Sequence, residues 1–266
     1  MTDYTHVQTH REGPALVATL TNPPRNLMNA LMVRELTDLA ESLANVTEAR
    51  VLVLTGVGDI FITHYDVSEL TLLSDRMQGA TTVPANGELH GTHKAFLKLQ
   101  SLPQVVIAAM NGTAMGGGCE LSLDCDFLYM ARGPGRIGLP EVRVGILPGA
   151  GGTQRMARLL GTARAMELML LGDAVDADTA ERIGLVHKAC DPDQLMPEVL
   201  SLANELAKRP PLSIALIKQC VLRGVEMPLD DALHFEQDAF WQTMRSPDAA
   251  RLMREYLTGN VPLDKL

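Results

Sequence analysis

The stretch from Val105 to Leu123 limits this chain more than any other. Val105–Met110 (VVIAAM) is an unbroken apolar run of strand length, the pattern of a strand covered on both faces. Three consecutive glycines, Gly116-Gly117-Gly118, follow, and a helical pattern then carries Cys119-Glu120-Leu121-Ser122-Leu123. Glycine lacks the Cβ that holds a ligand off the backbone. The first amides of a helix are unpaired and carry partial positive charge. Strand, glycine turn and helix start together predict a cradle of backbone N–H donors. The spacing matches neither G-x-G-x-x-G nor a P-loop, which needs Gly-Lys-Ser/Thr.

The rest of the chain repeats the alternation. Ala15–Thr21 reads as a strand broken by Asn22-Pro23-Pro24, and Leu31, Val33, Leu36, Leu39 and Leu43 follow a helical period. Val51–Leu54 is another two-faced strand, Ile60–Thr63 a short one after Gly56 and Gly58, and Phe127–Met130 a further one. Residues 73–90 lack periodicity and read as a loop. Beyond Gly161 the pattern is helical over Thr162–Leu171, Asp178–Ile183, Gln194–Lys208, Leu212–Arg223 and Leu229–Leu257. The expectation is an α/β fold, with a core over residues 1–200 that carries the site and a helical region over 201–266 that serves oligomerisation.

Net charge is −9 with no block of Lys/Arg, which argues against nucleic acid or an anionic membrane as partner. A phosphate-bearing ligand needs only a local cation or a helix N-terminus. With aromatics at 4%, aliphatics and the 14 methionines must fill the core. The four cysteines form no C-x-x-C pair and read as buried, reduced thiols. The N-terminal MTDYTHVQTHREG has no apolar core of a signal peptide, and no apolar run reaches the roughly 18 residues of a membrane span. A soluble, cytoplasmic protein is expected. His90 and His93 lack an H-E-x-x-H pattern and read as surface residues, and no metal site is expected.

Two carboxylates draw the chemistry. Glu120 lies just inside the helix that starts at the glycines, in apolar surroundings where an acid is either costly or useful. Glu141 follows Gly138-Leu139-Pro140, with one strand between it and Glu120, enough chain to go out and return to the same mouth. Two carboxylates facing one site repel, which separates them into an acid and a base. Phe61-Ile62-Thr63-His64-Tyr65-Asp66 also looks like acid–base machinery. Adjacent strand residues point to opposite faces, however, and no Ser or Cys nucleophile is paired with them.

The run Asn111-Gly112-Thr113-Ala114-Met115-Gly116-Gly117-Gly118-Cys119-Glu120-Leu121 resembles the signature of the crotonase (enoyl-CoA hydratase/isomerase) superfamily. Pro140-Glu141-Val142 and Gly145-Ile146-Leu147-Pro148-Gly149-Ala150-Gly151-Gly152-Thr153-Gln154-Arg155 resemble it as well, and the likeness spans roughly residues 15–235. The resemblance implies a spiral of ββα units with a C-terminal helical region, assembled as a homotrimer or a dimer of trimers. It implies an acyl-CoA thioester substrate, with coenzyme A part of that substrate and no further cofactor. It places the oxyanion donors at the backbone N–H groups of Gly117 and Tyr65, and the hydratase acid–base pair at Glu120 and Glu141. Glu120 would orient and activate the water and Glu141 would donate the proton. Arg25, Thr63, His64, Asp66, Val67, Ser68 and Gly116 are implied around the substrate and its CoA.

The sequence departs from the family where an A-G-x-D loop is usual: Thr63 and His64 stand at the A-G pair and Tyr65 at x. A histidine replacing glycine matters if that position needs φ > 0, and some backbone strain is then expected. His64 or Tyr65 as an extra acid–base group is an alternative. So are an enoyl-CoA isomerase or another enolate-forming member, and a non-catalytic binder of a CoA ester or a protein. Where relatives end in a Lys/Arg-rich run, this chain keeps Arg251 and Arg254.

Overall fold

The computed structural model describes residues 4–44, 46, 48–78 and 88–259. The chain divides into two compact units, Met1–Leu206 and Ala207–Leu266.

The continuous apolar runs do become the centre of the first unit. β1 (Val7–Glu12) and β2 (Ala15–Leu20) form a hairpin. β3 (Val51–Thr55) and β5 (Val105–Met110) are buried along their whole length, and β7 (Phe127–Ala131) and β10 (Lys188–Cys190) complete a six-stranded sheet. Its order is β1-β2-β3-β5-β7-β10, with every pairing after the hairpin parallel. A parallel sheet is covered on both faces, which is why its strands show no polar alternation.

A second sheet holds β4 (Ile60–Ile62), β6 (Thr113–Met115), β8 (Ile137–Gly138) and β9 (Ala174–Val175) in that order. β4, β6 and β8 run parallel, and β9 closes the edge antiparallel. Each turn of the chain therefore places one strand in the large sheet and the next in the small one: β3 then β4, β5 then β6, β7 then β8. That winding is the ββα spiral. It lays the C-terminal ends of β4, β6 and β8 side by side, although the residues there are far apart in sequence.

The helices pack this spiral. α1 (Ala30–Leu43) is capped by Asn29, whose side chain accepts from the Met32 N–H at 2.8 Å. It buries Met32, Leu36, Leu39 and Leu43 on one face. α2 (Val67–Met77), α3 (Gly91–Gln100), α4 (Gly117–Leu123), α5 (Gly152–Leu160), α6 (Thr162–Leu171), α7 (Ala177–Arg182) and α8 (Leu195–Ala207) follow. Phe61, Phe96, Met28, Met32, Leu52, Leu54 and Met110 are fully buried in one core. Truncating such a leucine to alanine costs about 2–5 kcal/mol. In the second unit, α9 (Pro211–Gly224), α10 (Leu229–Met244) and α11 (Pro247–Gly259) are joined by short turns. Arg223 lies over the Phe235 ring at 4.4 Å.

Several expectations need correction. The loop read over 73–90 is helix α2 as far as Met77, while 79–87 lie outside the described residues. The helix read over Leu229–Leu257 is two helices, because Pro247 has no N–H to continue one. Within the polar N-terminal stretch Val7–Glu12 forms strand β1, and just before it the Thr5 and His6 N–H groups donate to Glu35 of α1 at 2.7 Å each. All four cysteines are free, with Cys119 and Cys190 buried but Cys125 and Cys220 only partly so. No described helix is long and apolar enough to cross a membrane.

Candidate active site

The three adjacent strand ends of the small sheet deliver the site. The chain leaves β4 into Thr63–Asp66, β6 into Gly116 and α4, and β8 into Leu139, Pro140 and Glu141. The Gly116 N–H donates to the Gly138 carbonyl at 3.0 Å, binding the second exit to the third. Gly116 has φ +52°, and a Cβ there would stand 3.1 Å from Glu141 Oε1 and 3.4 Å from His64 Cβ. At Gly118 a Cβ would come within 2.6 Å of the Ile62 carbonyl, so only glycine lets α4 lie against β4.

Tyr65 and Gly117 lie next to each other at this edge. Met28 donates to the His64 carbonyl at 3.0 Å, and the Asp66 N–H donates to the Met28 carbonyl at 2.7 Å. The Tyr65 nitrogen lies beside Gly117, where a Cβ would stand 3.6 Å from it. Gly117 opens α4, so its own N–H is among those a helix leaves unpaired.

Glu120 is 3% exposed, and its Oε1 accepts from the Ala150 N–H at 2.7 Å and the Gly152 N–H at 2.9 Å. Its partners therefore belong to the loop entering α5. Burial raises its pKa, while those two amides, then Arg155 and His90, pull it down. Glu141 opens a single 3-10 turn, Glu141–Val144, and its Oε2 is buried with no hydrogen-bond partner among the described residues. Burial pushes its carboxyl up to about 7, and the charge of Glu120 adds to the rise. Behind Glu120, Asp124 is buried and ion-paired with Arg155. Burial raises Asp124 to about 8 despite that partner.

The Thr63–Asp66 segment lies beyond β4, so the strand alternation expected there does not apply. The Thr63 hydroxyl donates to the Arg25 carbonyl. His64 Nδ1 donates to the Tyr65 carbonyl at 2.6 Å, which leaves Nε2 to accept from Arg25 Nη2 at 3.3 Å. Both ring nitrogens are thus engaged in a neutral tautomer. The strain expected at His64 is absent, since Asn26 (φ 50°) is the one non-glycine residue at positive φ among the described residues. The Tyr65 hydroxyl donates to Glu69 Oε2 at 3.0 Å, and burial together with that carboxylate raises its pKa. Asp66 caps α2, accepting from the Ser68 N–H at 2.8 Å and the Ser68 hydroxyl at 2.7 Å, and those bonds hold its pKa down. Val67 and Arg25 are exposed nearby.

The structure thus brings Tyr65, Gly116, Gly117, Glu120 and Glu141 together, with Thr63, His64 and Arg25 at one margin. Asp66 and Ser68 are occupied with each other at the start of α2. Sequence reasoning missed the amides of Ala150 and Gly152; the signal was present in Pro148-Gly149-Ala150-Gly151-Gly152, a loop rich in free N–H groups before a helix. It also missed Asp124, Arg155 and His90, whose neighbours only the fold supplies.

A ββα spiral with buried Glu120 and half-buried Glu141 beside the glycine turn into α4 is the arrangement of the crotonase class of proteins. The enoyl-CoA hydratase/isomerase family model matches residues 11–259, and the chain belongs to that family. It is 36% identical over 251 residues to a short-chain-enoyl-CoA hydratase of Clostridium acetobutylicum, covering 93% of this chain and 92% of the relative. A crotonyl-CoA hydratase of Syntrophomonas wolfei is 34% identical, over 96% of this chain and 95% of that one. The crystal structure of an enoyl-CoA hydratase from Bacillus anthracis superposes with a TM-score of 0.85 at 28% identity, covering 98% of this chain and 99% of that one.

Proposed function

We propose that this chain is an enoyl-CoA hydratase in which Glu120 and Glu141 add water across the 2,3 double bond of a 2-enoyl-CoA. The assignment as a hydratase follows from the family match and from hydratase-named relatives at 34 and 36% identity over nearly the whole chain. The observation that carries the mechanism is the contrast between the two carboxyls at one strand edge. Glu120 is held by two amides that favour its charged form, while Glu141 is raised to about 7 and keeps its proton near neutrality.

The thioester oxygen sits between the Tyr65 and Gly117 N–H groups, which stabilise the enolate. Glu120 takes a proton from water as its oxygen bonds to Cβ, and Glu141 gives its proton to Cα. The pair then exchanges a proton to reset. His64 and Tyr65 are not acid–base groups in this reading: both His64 nitrogens are engaged, and the Tyr65 phenol is tied to Glu69. They shape the substrate margin together with Arg25, Thr63 and Val67. Asp66 and Ser68 hold the start of α2 beside it, and Gly116 leaves room for Glu141. Coenzyme A enters as part of the substrate, and no further cofactor takes part.

We further propose that the chain works as a homotrimer or dimer of trimers in the cytoplasm, without nucleic-acid or membrane partners. In the second unit Ile217, Val221, Val225, Leu229 and Leu257 are each at least 62% exposed, an apolar surface that supports assembly. Light scattering on the purified protein tests this part.

Hydration of crotonyl-CoA, followed by loss of enoyl thioester absorbance, tests the reaction. Glu120→Gln and Glu141→Gln should each lower kcat by about 10²- to 10⁴-fold. Either variant within a few-fold of the unaltered protein would refute the mechanism. Conversion of a 3-enoyl-CoA faster than a 2-enoyl-CoA would point to the isomerase instead.

A further inference from the structure

Helix α3 begins at His90, whose ring faces two ways. Nδ1 accepts from the Thr92 N–H at 3.3 Å, capping the helix, and Nε2 lies 2.9 Å from the Gly149 carbonyl oxygen. A carbonyl oxygen only accepts, and Nδ1 is already an acceptor, so the proton sits on Nε2 and is donated to Gly149. The Gly149 carbonyl and the Ala150 N–H are the two ends of one planar peptide group. That same Ala150 N–H is the 2.7 Å donor to Glu120 Oε1. An unbroken chain of hydrogen bonds therefore runs from His90, through a single amide, to the buried carboxylate. Bonds in such a chain polarise one another, and turning the amide would move the carboxylate with it.

Other groups surround the same loop. His93 stacks on His90 with ring centroids 4.2 Å apart. The guanidinium of Arg155 occupies the space a Cβ would take on Gly151, and pairs with Asp124. Glu141 faces Glu120 from the third strand exit, and Lys94 of α3 is paired outward with Glu88 at 2.7 Å. Among these it is the His90 side chain that is bonded to the peptide group bearing a Glu120 donor.

We infer that His90 is a positioning residue for hydration, acting on Glu120 through the Gly149–Ala150 peptide. The inference rests on the reading of Glu120 as the residue that activates water. His90 touches neither substrate nor reacting atoms, and its effect falls on kcat.

Two substitutions separate its jobs. Asparagine keeps a capping oxygen near the place of Nδ1 but is too short to reach Gly149. Glutamine carries an N–H to the place of Nε2 but caps a helix poorly. His90→Asn should melt like the unaltered protein yet lose about three- to tenfold in kcat at unchanged KM, the worth of one such hydrogen bond. His90→Gln should melt lower and keep its kcat. A second readout does not depend on turnover: the ¹³C titration of the Glu120 carboxyl, assigned by its absence in Glu120→Gln. Its midpoint should rise in His90→Asn and hold in His90→Gln. If Glu120→Gln hydrates normally while the midpoint still follows residue 90, the mechanism falls and the coupling stands. Equal kcat losses in both variants, or an unmoved Glu120 midpoint in His90→Asn, would overturn the inference.

Discussion

Glu120 and Glu141 occupy two neighbourhoods built on different terms. Around Glu120 the acid is almost fully buried, and one of its oxygens takes two backbone amides from the loop into α5. Around Glu141 the chain is a single 3-10 turn, and Oε2 is buried without a partner among the described residues. Burial raises both. At Glu120 two amides from the loop into α5 and the nearby Arg155 oppose the rise. At Glu141 the opposition comes from its own backbone N–H, and the charge of Glu120 adds to the rise. Identical side chains thus become an amide-held base and a proton donor through their surroundings alone. One region supplies precision and the other supplies a proton at neutral pH.

The largest test of this contrast compares the two amide variants directly. Both should lose about 10²- to 10⁴-fold in hydration, but they should differ in stability. Glutamine at 120 still offers one oxygen to the Ala150 and Gly152 amides, so Glu120→Gln should melt close to the unaltered protein. Next in size is Gly152→Ala, whose methyl would lie 2.7 Å from Leu139 Cδ1 and 3.0 Å from Glu120 Oε1. Displacing Glu120 should cost about ten- to a hundredfold in kcat with little change in KM, since misplacement of a reacting group acts on the transition state.

A smaller effect reads Glu141 through stability. Its folded-state pKa of about 7 lies above the ordinary 4.5. Between those values the native state holds more protons than the unfolded one, so stability falls as pH rises through that window. Glu141→Gln removes the loss. Its Tm should match the unaltered protein near pH 4 and exceed it by about 2–4 °C near pH 8, by calorimetry. An equal Tm at both pH values would mean that Glu141 is not raised. The smallest change is expected at the margin. His64→Gly gives up one bond to Arg25 and one to the Tyr65 carbonyl, and should shift KM for crotonyl-CoA by about two- to fivefold with kcat kept.

Much of this arrangement is written locally in the chain. Val51–Leu54 and VVIAAM announce two-faced strands because burial on both sides removes the polar alternation. The three glycines before Glu120 announce close approach of backbone, and the resemblance carried by Gly116–Leu121 and Pro140-Glu141 names both carboxylates. What stayed hidden has few residues or distant partners. β6, β8 and β9 are two or three residues long, too short for periodicity to register, yet β6 and β8 align the strand exits. The amides that hold Glu120 come from residues 30 and 32 positions away. His64 raised an expectation of strain that its local backbone does not bear out, because the bridge to Met28 holds the segment extended.

The most direct test of the division between the two carboxyls is the pH dependence of kcat/KM for crotonyl-CoA hydration, from about pH 5 to about pH 9, which reports the ionisations of the free enzyme. With Glu141 as proton donor at a pKa of about 7, the rate should fall as pH rises through that value. A profile that stays flat well past it would contradict the account.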